Sequence, residues 1–177
     1  MRKILFVCIV LFPLLNAKEI VIDLSKQKLY VKEGKQIILT SDISSGNRLH
    51  PTPTGSFSVF KKERYHNSTL YPIREDGKRG GAPMNYMLKF AQSIAIHEGY
   101  IPKEGGRPVP ASHGCIRVPT SKAKHLFSMI KIGTPVKVKG AANYNNTFNK
   151  ELSADYMTQS NLNLTIDTSD IEELEDL

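Results

Sequence analysis

Only one stretch of this chain repeats with the period of a helix. In PTSKAKHLFSMIKIG, residues 119–133, Ala123, Leu126, Phe127 and Ile130 fall at i, i+3, i+4 and i+7, with Thr120 or Ser121 as cap and Gly133 as stop. The remainder of the body must therefore be built from short strands. KEIVIDLSKQKLYVKEGKQIILTSDI, residues 18–43, reads as three strands with turns in the Leu24–Gln27 region and at Glu33-Gly34. Pro51 and Pro53 enforce extended backbone before a strand at about Phe57 to Phe60. MLKFAQSIAIH, residues 87–97, gives two more, with Ile94 and Ile96 on one face and Ala95 and His97 on the other. Val136 and Val138 form a closing strand. A chain of 177 residues suits one domain with a sizeable core, so the expected class is mainly β with one main helix. Residues 61–83 carry many charges and little periodicity and are expected to form a long loop. EGYIPKEGGRPVPA, residues 98–111, reads as loop as well.

The N-terminus, MRKILFVCIVLFPLLNA, has a basic start at Arg2 and Lys3, an apolar run from Ile4 to Leu15, and a small residue at Ala17. The run contains Pro13 and is shorter than the ~20 residues that span a bilayer, so residues 1–17 are expected to be a cleaved secretory signal. Cys8 sits mid-run after Leu5, Phe6 and Val7, which argues against a lipoprotein. Cleavage removes Cys8 and leaves Cys115 as the single cysteine of the mature chain. In an oxidising compartment such a cysteine is an intermolecular disulfide partner or a thiol kept for its reactivity.

Charge is distributed unevenly. From Ala141 onward there are eight acids and one base, a net −7, so residues 1–140 carry +14 and the two parts sum to the chain's overall +7. A basic body suits a polyanionic partner, and export argues against nucleic acid. Residues 140–177, rich in Asn, Ser, Thr and acids, are expected to form a flexible tail with some local helix, Ser169 and Glu172 fitting a capping box. The opposed charges would also allow the tail to lie across the basic cleft and moderate access, although a solvated tail is the plainer expectation.

The chemistry centres on PASHGCIRVP, residues 110–119. A free thiol is only a few per cent thiolate at neutral pH and becomes a strong nucleophile when a histidine takes its proton or pairs with the thiolate. His113, two residues before Cys115, tends to diverge from it; His97, at the end of a predicted strand, can be folded back onto it and is the better base. Gly114 permits a bend that aims consecutive backbone N–H groups at one point, as an oxyanion hole requires. That set implies acyl transfer through a thioester. The rival is a zinc site from His97, His113 and Cys115 with His50, His66 or His125 as a fourth ligand, although neither a paired finger spacing nor HExxH is present. Outside that rival, His50, His66 and His125 are read as structural.

IHEGYIPKEGGRPVPASHGCIRV, residues 96–118, resembles the signature of the YkuD-type L,D-transpeptidases: a histidine, a loop, then Ser/Thr-His-Gly-Cys, an apolar residue and Asn or Arg. TPTGSFSV at 52–59 matches another family segment, MNYMLKF at 84–90 loosely matches a third, and the resemblance covers residues 18–139 as a catalytic domain. It implies a β-sandwich or barrel with a long lid loop, and no cofactor or metal. It further implies Cys115 as nucleophile and His97 as its base, with the ring oriented by the residue that follows. Here that residue is Glu98, where Gly or Ser is commoner. His113, Gly114 and Cys115 would supply oxyanion N–H groups, Ser112 would shape the turn, Arg117 would fix it or meet a substrate carboxylate, and Tyr86 would line the cavity. The implied substrate is the peptidoglycan tetrapeptide stem. Its third residue would be acylated with release of D-alanine, then transferred to another stem, a protein or a D-amino acid. Resolution by water would make an L,D-carboxypeptidase, and a decayed site a silent wall-binding protein. Lys61, Lys62, Arg64, Arg74, Lys78 and Arg79 would suit carboxylate-bearing wall peptides, in a periplasm or other extracytoplasmic space.

Overall fold

Alternating apolar and polar side chains make the first sheet. The computed structural model describes residues 17–69 and 79–172, with the backbone alone over 161–172. Strands β1 (Lys18–Asp23), β2 (Lys28–Glu33) and β3 (Gln36–Asp42) form an antiparallel meander in which Ile20, Ile22, Leu29, Val31 and Leu39 are buried. Gln27 (φ 49°) and Gly34 (φ 59°) close its two turns. Strands β4 (Gly55–Ser58), β5 (Lys61–Glu63), β6 (Met87–Ala91) and β7 (Ile94–Glu98) follow. After them come β8 (Lys103–Glu104), β9 (Arg107–Pro108), β10 (Ile116–Val118), helix α1 (Thr120–Met129), β11 (Pro135–Lys139) and helix α2 (Thr147–Glu172).

The strands assemble into a five-stranded sheet, β3-β2-β1-β11-β4, a four-stranded sheet, β10-β7-β6-β5, and the small β8-β9 hairpin. Two pairings are parallel, β1 with β11 and β10 with β7. One core cluster joins both larger sheets to α1: Ile22 and Val136 from the first, Leu88, Ile96 and Ile116 from the second, and Ala123, Leu126 and Ile130 from the helix end. Phe57 meets Phe90 edge-on across the sheets at 5.4 Å. The mainly β class with one core-packing helix is as expected.

Several boundaries differ. β4 begins at Gly55 because it pairs with β11 through Gly55↔Val138 and Phe57↔Val136, and this leaves Phe60 half-exposed beyond the strand. The expected loop at 61–83 opens with β5, which pairs with β6; residues 70–78, with Arg74 and Lys78, lie outside the described residues. The 98–111 loop contains the β8-β9 hairpin, whose turn is Gly105-Gly106 with φ of 56° and 76°. Two consecutive positive φ values are the signature of a tight hairpin, a signal that EGGR carries in the sequence. α1 is capped by neither Thr120 nor Ser121: Pro119 is the N-cap, makes no side-chain cap bond, and presents its carbonyl to the Lys122 and Ala123 amides. At the other end Lys62 Nζ donates to the carbonyls of Phe127 and Ile130, a cation where the helix dipole favours one.

In the C-terminal segment, where some local helix is expected, α2 runs from Thr147 and includes Ser169 within its length. Its start has a local cause. Asn146 Oδ1 accepts the Asn149 amide at 3.0 Å, the N-cap bond that Asn makes well, while the apolar residues of α2 follow no periodic stripe that would announce a helix. The proposed signal at residues 1–17 falls outside the described residues except for Ala17. Among the described residues no helix is long and apolar enough to cross a membrane.

Candidate active site

The parallel pairing of β10 with β7 brings the two reactive groups together. Its register is Ile116↔Ile96, Arg117↔His97 and Val118↔Glu98. One step before Ile116, Cys115 comes alongside Ala95, whose amide donates to Sγ at 3.4 Å, and the thiol faces the Ser93 carbonyl at 3.8 Å. Paired positions share a face and alternate positions return to it, so Cys115 and His97 are diagonal neighbours on one side of the sheet. Both line a cleft of about 660 Å³. Cys115 is half-buried, and it is the free cysteine of the described residues.

His97 is 8% exposed. Its Nδ1 lies 2.6 Å from the Glu98 carbonyl, which accepts a hydrogen and therefore fixes the proton on Nδ1. Nε2 is left as the basic nitrogen. Burial pulls the His97 pKa down to about 4, with the Arg117 charge adding to the effect and the Glu98 carbonyl opposing it. Burial pushes the Cys115 thiol up, while the Ala95 amide, Arg117 and Lys89 act against that. At neutral pH the resting pair is a neutral thiol beside a neutral imidazole. Glu98 does not disturb this. Its amide donates to the Asn85 carbonyl at 3.0 Å and its carboxylate accepts from Asn85 Nδ2 at 2.6 Å, so the side chain is held aside.

The turn before Cys115 is built around Ser112, which is 1% exposed. Its hydroxyl donates to the Cys115 carbonyl at 2.5 Å and accepts from the Gly114 amide at 3.1 Å. Its own amide donates to the Ser45 carbonyl, and its carbonyl accepts from the Asn47 amide. Gly114 has a φ of 108°, and a Cβ there would stand 2.8 Å from Ile94 Cδ1, so only glycine fits. Of the three amides expected to form an oxyanion hole, Gly114's is thus engaged by Ser112. The Cys115 amide belongs to the residue that carries the sulfur. His113 is exposed, lines the cleft, and packs its ring against His50 at 5.2 Å.

A family model for YkuD, the L,D-transpeptidase catalytic domain, matches residues 17–138. The chain belongs to the YkuD family. It is 30% identical over 139 residues to the putative L,D-transpeptidase YciB of Bacillus subtilis, covering 72% of this chain and 69% of that one. It is 25% identical over 131 residues to L,D-transpeptidase 1 of Mycobacterium tuberculosis, covering 68% of this chain and 49% of that protein. The chain therefore spans about half the length of the mycobacterial relative. Among solved structures it resembles the catalytic domain of the Enterococcus faecium L,D-transpeptidase acylated by ertapenem, with a TM-score of 0.55 and 35% identity over 70% of this chain and 98% of that domain.

Other expected residues of the YkuD site divide clearly. Arg117 stands opposite His97, lines the cleft, and lays its aliphatic stem over Gly99, where an added Cβ would meet Arg117 Cγ at 3.0 Å. Tyr86 is not a cavity residue. With φ at 54° its ring turns away to pack edge-on against Phe127 at 5.9 Å, at the border of the core. Lys62 is spent on the end of α1 and Lys61 pairs with Glu63, so neither is a free wall-peptide contact. His66 lines the cleft and pairs with Glu63 at 2.5 Å; His125 offers its carbonyl to Ser128 within α1. Among the described residues no three His, Cys, Asp or Glu side chains converge as a metal site needs. Sequence reasoning missed Ala95 and Ser93 at the sulfur, Asn85 at Glu98, and Thr52, whose hydroxyl donates to the Gly114 carbonyl at 2.7 Å and accepts from the Gly46 amide at 2.9 Å. For Thr52 a signal existed, since it opens the TPTGSFSV segment. A second cavity of about 810 Å³ lies beyond the β8-β9 loop and contains neither Cys115 nor His97.

Proposed function

We propose that this chain is an exported cysteine L,D-transpeptidase that acts on peptidoglycan tetrapeptide stems in a periplasm or another extracytoplasmic space. The supporting observation is the placement of a half-buried thiol and a tautomerically fixed imidazole on one face of β7 and β10, lining a single cleft. Support also comes from the likeness to the Enterococcus catalytic domain, which is acylated by ertapenem; in this chain the acyl acceptor we propose is Cys115.

Because both groups rest neutral, His97 acts as a general base. As Sγ attacks the carbonyl of the L-centred third residue, the thiol proton passes to Nε2 and the carbonyl oxygen gains charge, which backbone amides of the 113–115 turn would stabilise. The imidazolium then protonates the departing D-alanine nitrogen, leaving a thioester. An acceptor amine attacks that thioester, gives its proton to Nε2, and restores the thiol. Arg117 supplies positive charge that favours a stem carboxylate at the cleft wall. No metal or organic cofactor has a part in this sequence of steps. The acceptor is a second stem, a protein or a D-amino acid.

Incubating the purified chain with tetrapeptide fragments, followed by mass analysis, tests the whole reading. Cross-linked dimer lacking one D-alanine is the expected product, and Cys115→Ala yields none while keeping its fold. Tripeptide alone would assign an L,D-carboxypeptidase that uses the same pair of residues. Unchanged tetrapeptide would leave a silent wall-binding protein, a reading that the contact of His97 Nδ1 with the Glu98 carbonyl does not favour.

A further inference from the structure

We propose that Asn149, in the first turn of α2 and beyond the segment that matches the YkuD family model, is a positioning residue for the Cys115 turn. The proposal rests on Cys115 being the nucleophile. Asn149 is 0% exposed, unusual for an amide side chain on a helix whose neighbouring residues are exposed. Its side chain is fully engaged. Nδ2 donates to the Pro110 carbonyl at 2.7 Å and to Asn146 Oδ1 at 2.9 Å, and Oδ1 accepts from the Arg48 amide at 2.8 Å.

Those bonds join two segments that are distant in sequence and adjacent at the site. Pro110 stands two residues before Ser112, and Arg48 follows Asn47, whose amide holds the Ser112 carbonyl at 2.8 Å. Ser112 is further bridged to Gly46 and bonded to the Ser45 carbonyl, and its hydroxyl holds the Cys115 carbonyl. Hydrogen bonds joined by short stretches of backbone, Arg48 to Asn47 on one side and Pro110 to Ser112 on the other, thus connect Asn149 to the backbone of the nucleophile. A second tie fixes the helix in place, because the Glu104 carboxylate accepts from the Thr147 amide at 3.0 Å and its hydroxyl at 2.9 Å. A carboxylate at a helix N-terminus also suits the dipole. Asn149 itself does not line the cleft, so its effect on chemistry passes through the turn. Removing it leaves a buried carbonyl and a backbone amide without partners and frees the segment that sets the Sγ position. Attack geometry tolerates little displacement: a shift near 1 Å can cost about a hundredfold in rate.

The test uses the full chain and ertapenem as acylating probe, with adduct formation followed by mass spectrometry and rates expressed per titrated thiol. Asn149→Ala is expected to lower the limiting acylation rate about ten- to a hundredfold while the half-saturating probe concentration stays unchanged. Asn149→Asp, which keeps an acceptor for Arg48 and loses the donor to Pro110, is expected to fall between it and wild type. Glu151→Ala, on the exposed side of the same turn, is expected to match wild type. A merely structural role would lower the melting temperature and the reactive fraction and leave the limiting rate per thiol intact; that outcome overturns the proposal. Should Asn149→Ala not fold, Asn149→Asp is judged by the same criterion. A wild-type chain that takes no ertapenem defeats the assignment of Cys115 together with this inference, whereas normal wild-type acylation with unaffected Asn149 variants defeats this inference alone.

Discussion

On one side of Cys115, strands β7 and β10 place their side chains by backbone register. On the other, the 44–52 and 109–114 segments are held by polar side chains that reach the backbone: Ser44 to the Val109 carbonyl, Gln27 to Ser45 through both ends of its amide, Thr52 to Gly114, and Asn149 to Pro110. The sheet side delivers the reactive atoms and the braced side delivers the turn from which the sulfur emerges. A strand pair loses little when one side chain is shortened, because its bonds belong to the main chain. A braced turn loses a buried bond with each polar residue removed, so it is the more mutable half of the site in geometry and the less mutable in stability.

The largest effect expected falls on the sheet side. His97→Gln keeps a polar side chain there but removes the base, and kcat/KM for the stem-peptide reaction is expected to fall about 10²–10⁴-fold. Wild-type loss of the same size in a Tyr86→Phe control would refute the separation of His97 from the core residues. The same histidine governs acid stability. Its pKa is about 4 in the folded chain against the ordinary 6.5, so below pH 6.5 the unfolded state binds the proton more readily. Stability is therefore whole above pH 6.5 and declines as pH falls to about 4, by about 3 kcal/mol in all. Denaturant midpoints measured across that window should slope for the wild type and flatten in His97→Gln; parallel profiles would mean that His97 keeps its ordinary pKa in the fold.

A smaller effect is expected on the braced side. Thr52→Val preserves shape but removes the hydroxyl between the Gly46 amide and the Gly114 carbonyl, both buried. It is expected to cost about 1–3 kcal/mol in denaturant unfolding. A cost near zero would show that the turn is held by the β10 register alone and would weaken the contrast between the two sides.

The contrast also explains which parts were legible from sequence. Period-2 and period-3.6 patterns report burial, so β1–β3, β6, β7, β11 and α1 could be read from Ile, Leu and Val positions. The SHGC turn was legible because nucleophile, glycine and histidine types announce chemistry. The braces were not, since Ser44, Thr52 and Asn149 look like ordinary loop polar residues until their partners, up to 101 positions away, are in place. For the same reason α2 was read as tail: it is fixed by a cap and a few buried bonds and not by an apolar stripe. Tyr86 failed in the opposite direction, because an aromatic beside a signature segment gives no hint that a positive φ will turn its ring to Phe127.

The smallest expected effect is the sharpest test of how the base is held. Glu98 is an unusual residue to follow the base, and a side chain in that role would make Glu98→Gln costly. In the structure the contact to Nδ1 is the Glu98 carbonyl, while the carboxylate is turned to Asn85 Nδ2. Glu98→Gln keeps both the carbonyl and an oxygen for Asn85, and it removes a negative charge that favours the imidazolium. Its kcat/KM is expected to stay within about twofold of wild type, with the acid limb of the pH profile displaced slightly downward, since loss of that charge makes His97 harder to protonate. A drop of tenfold or more with the fold intact would mean that the carboxylate itself orients His97, and the sheet side of the site would then depend on side-chain bracing as much as the turn does.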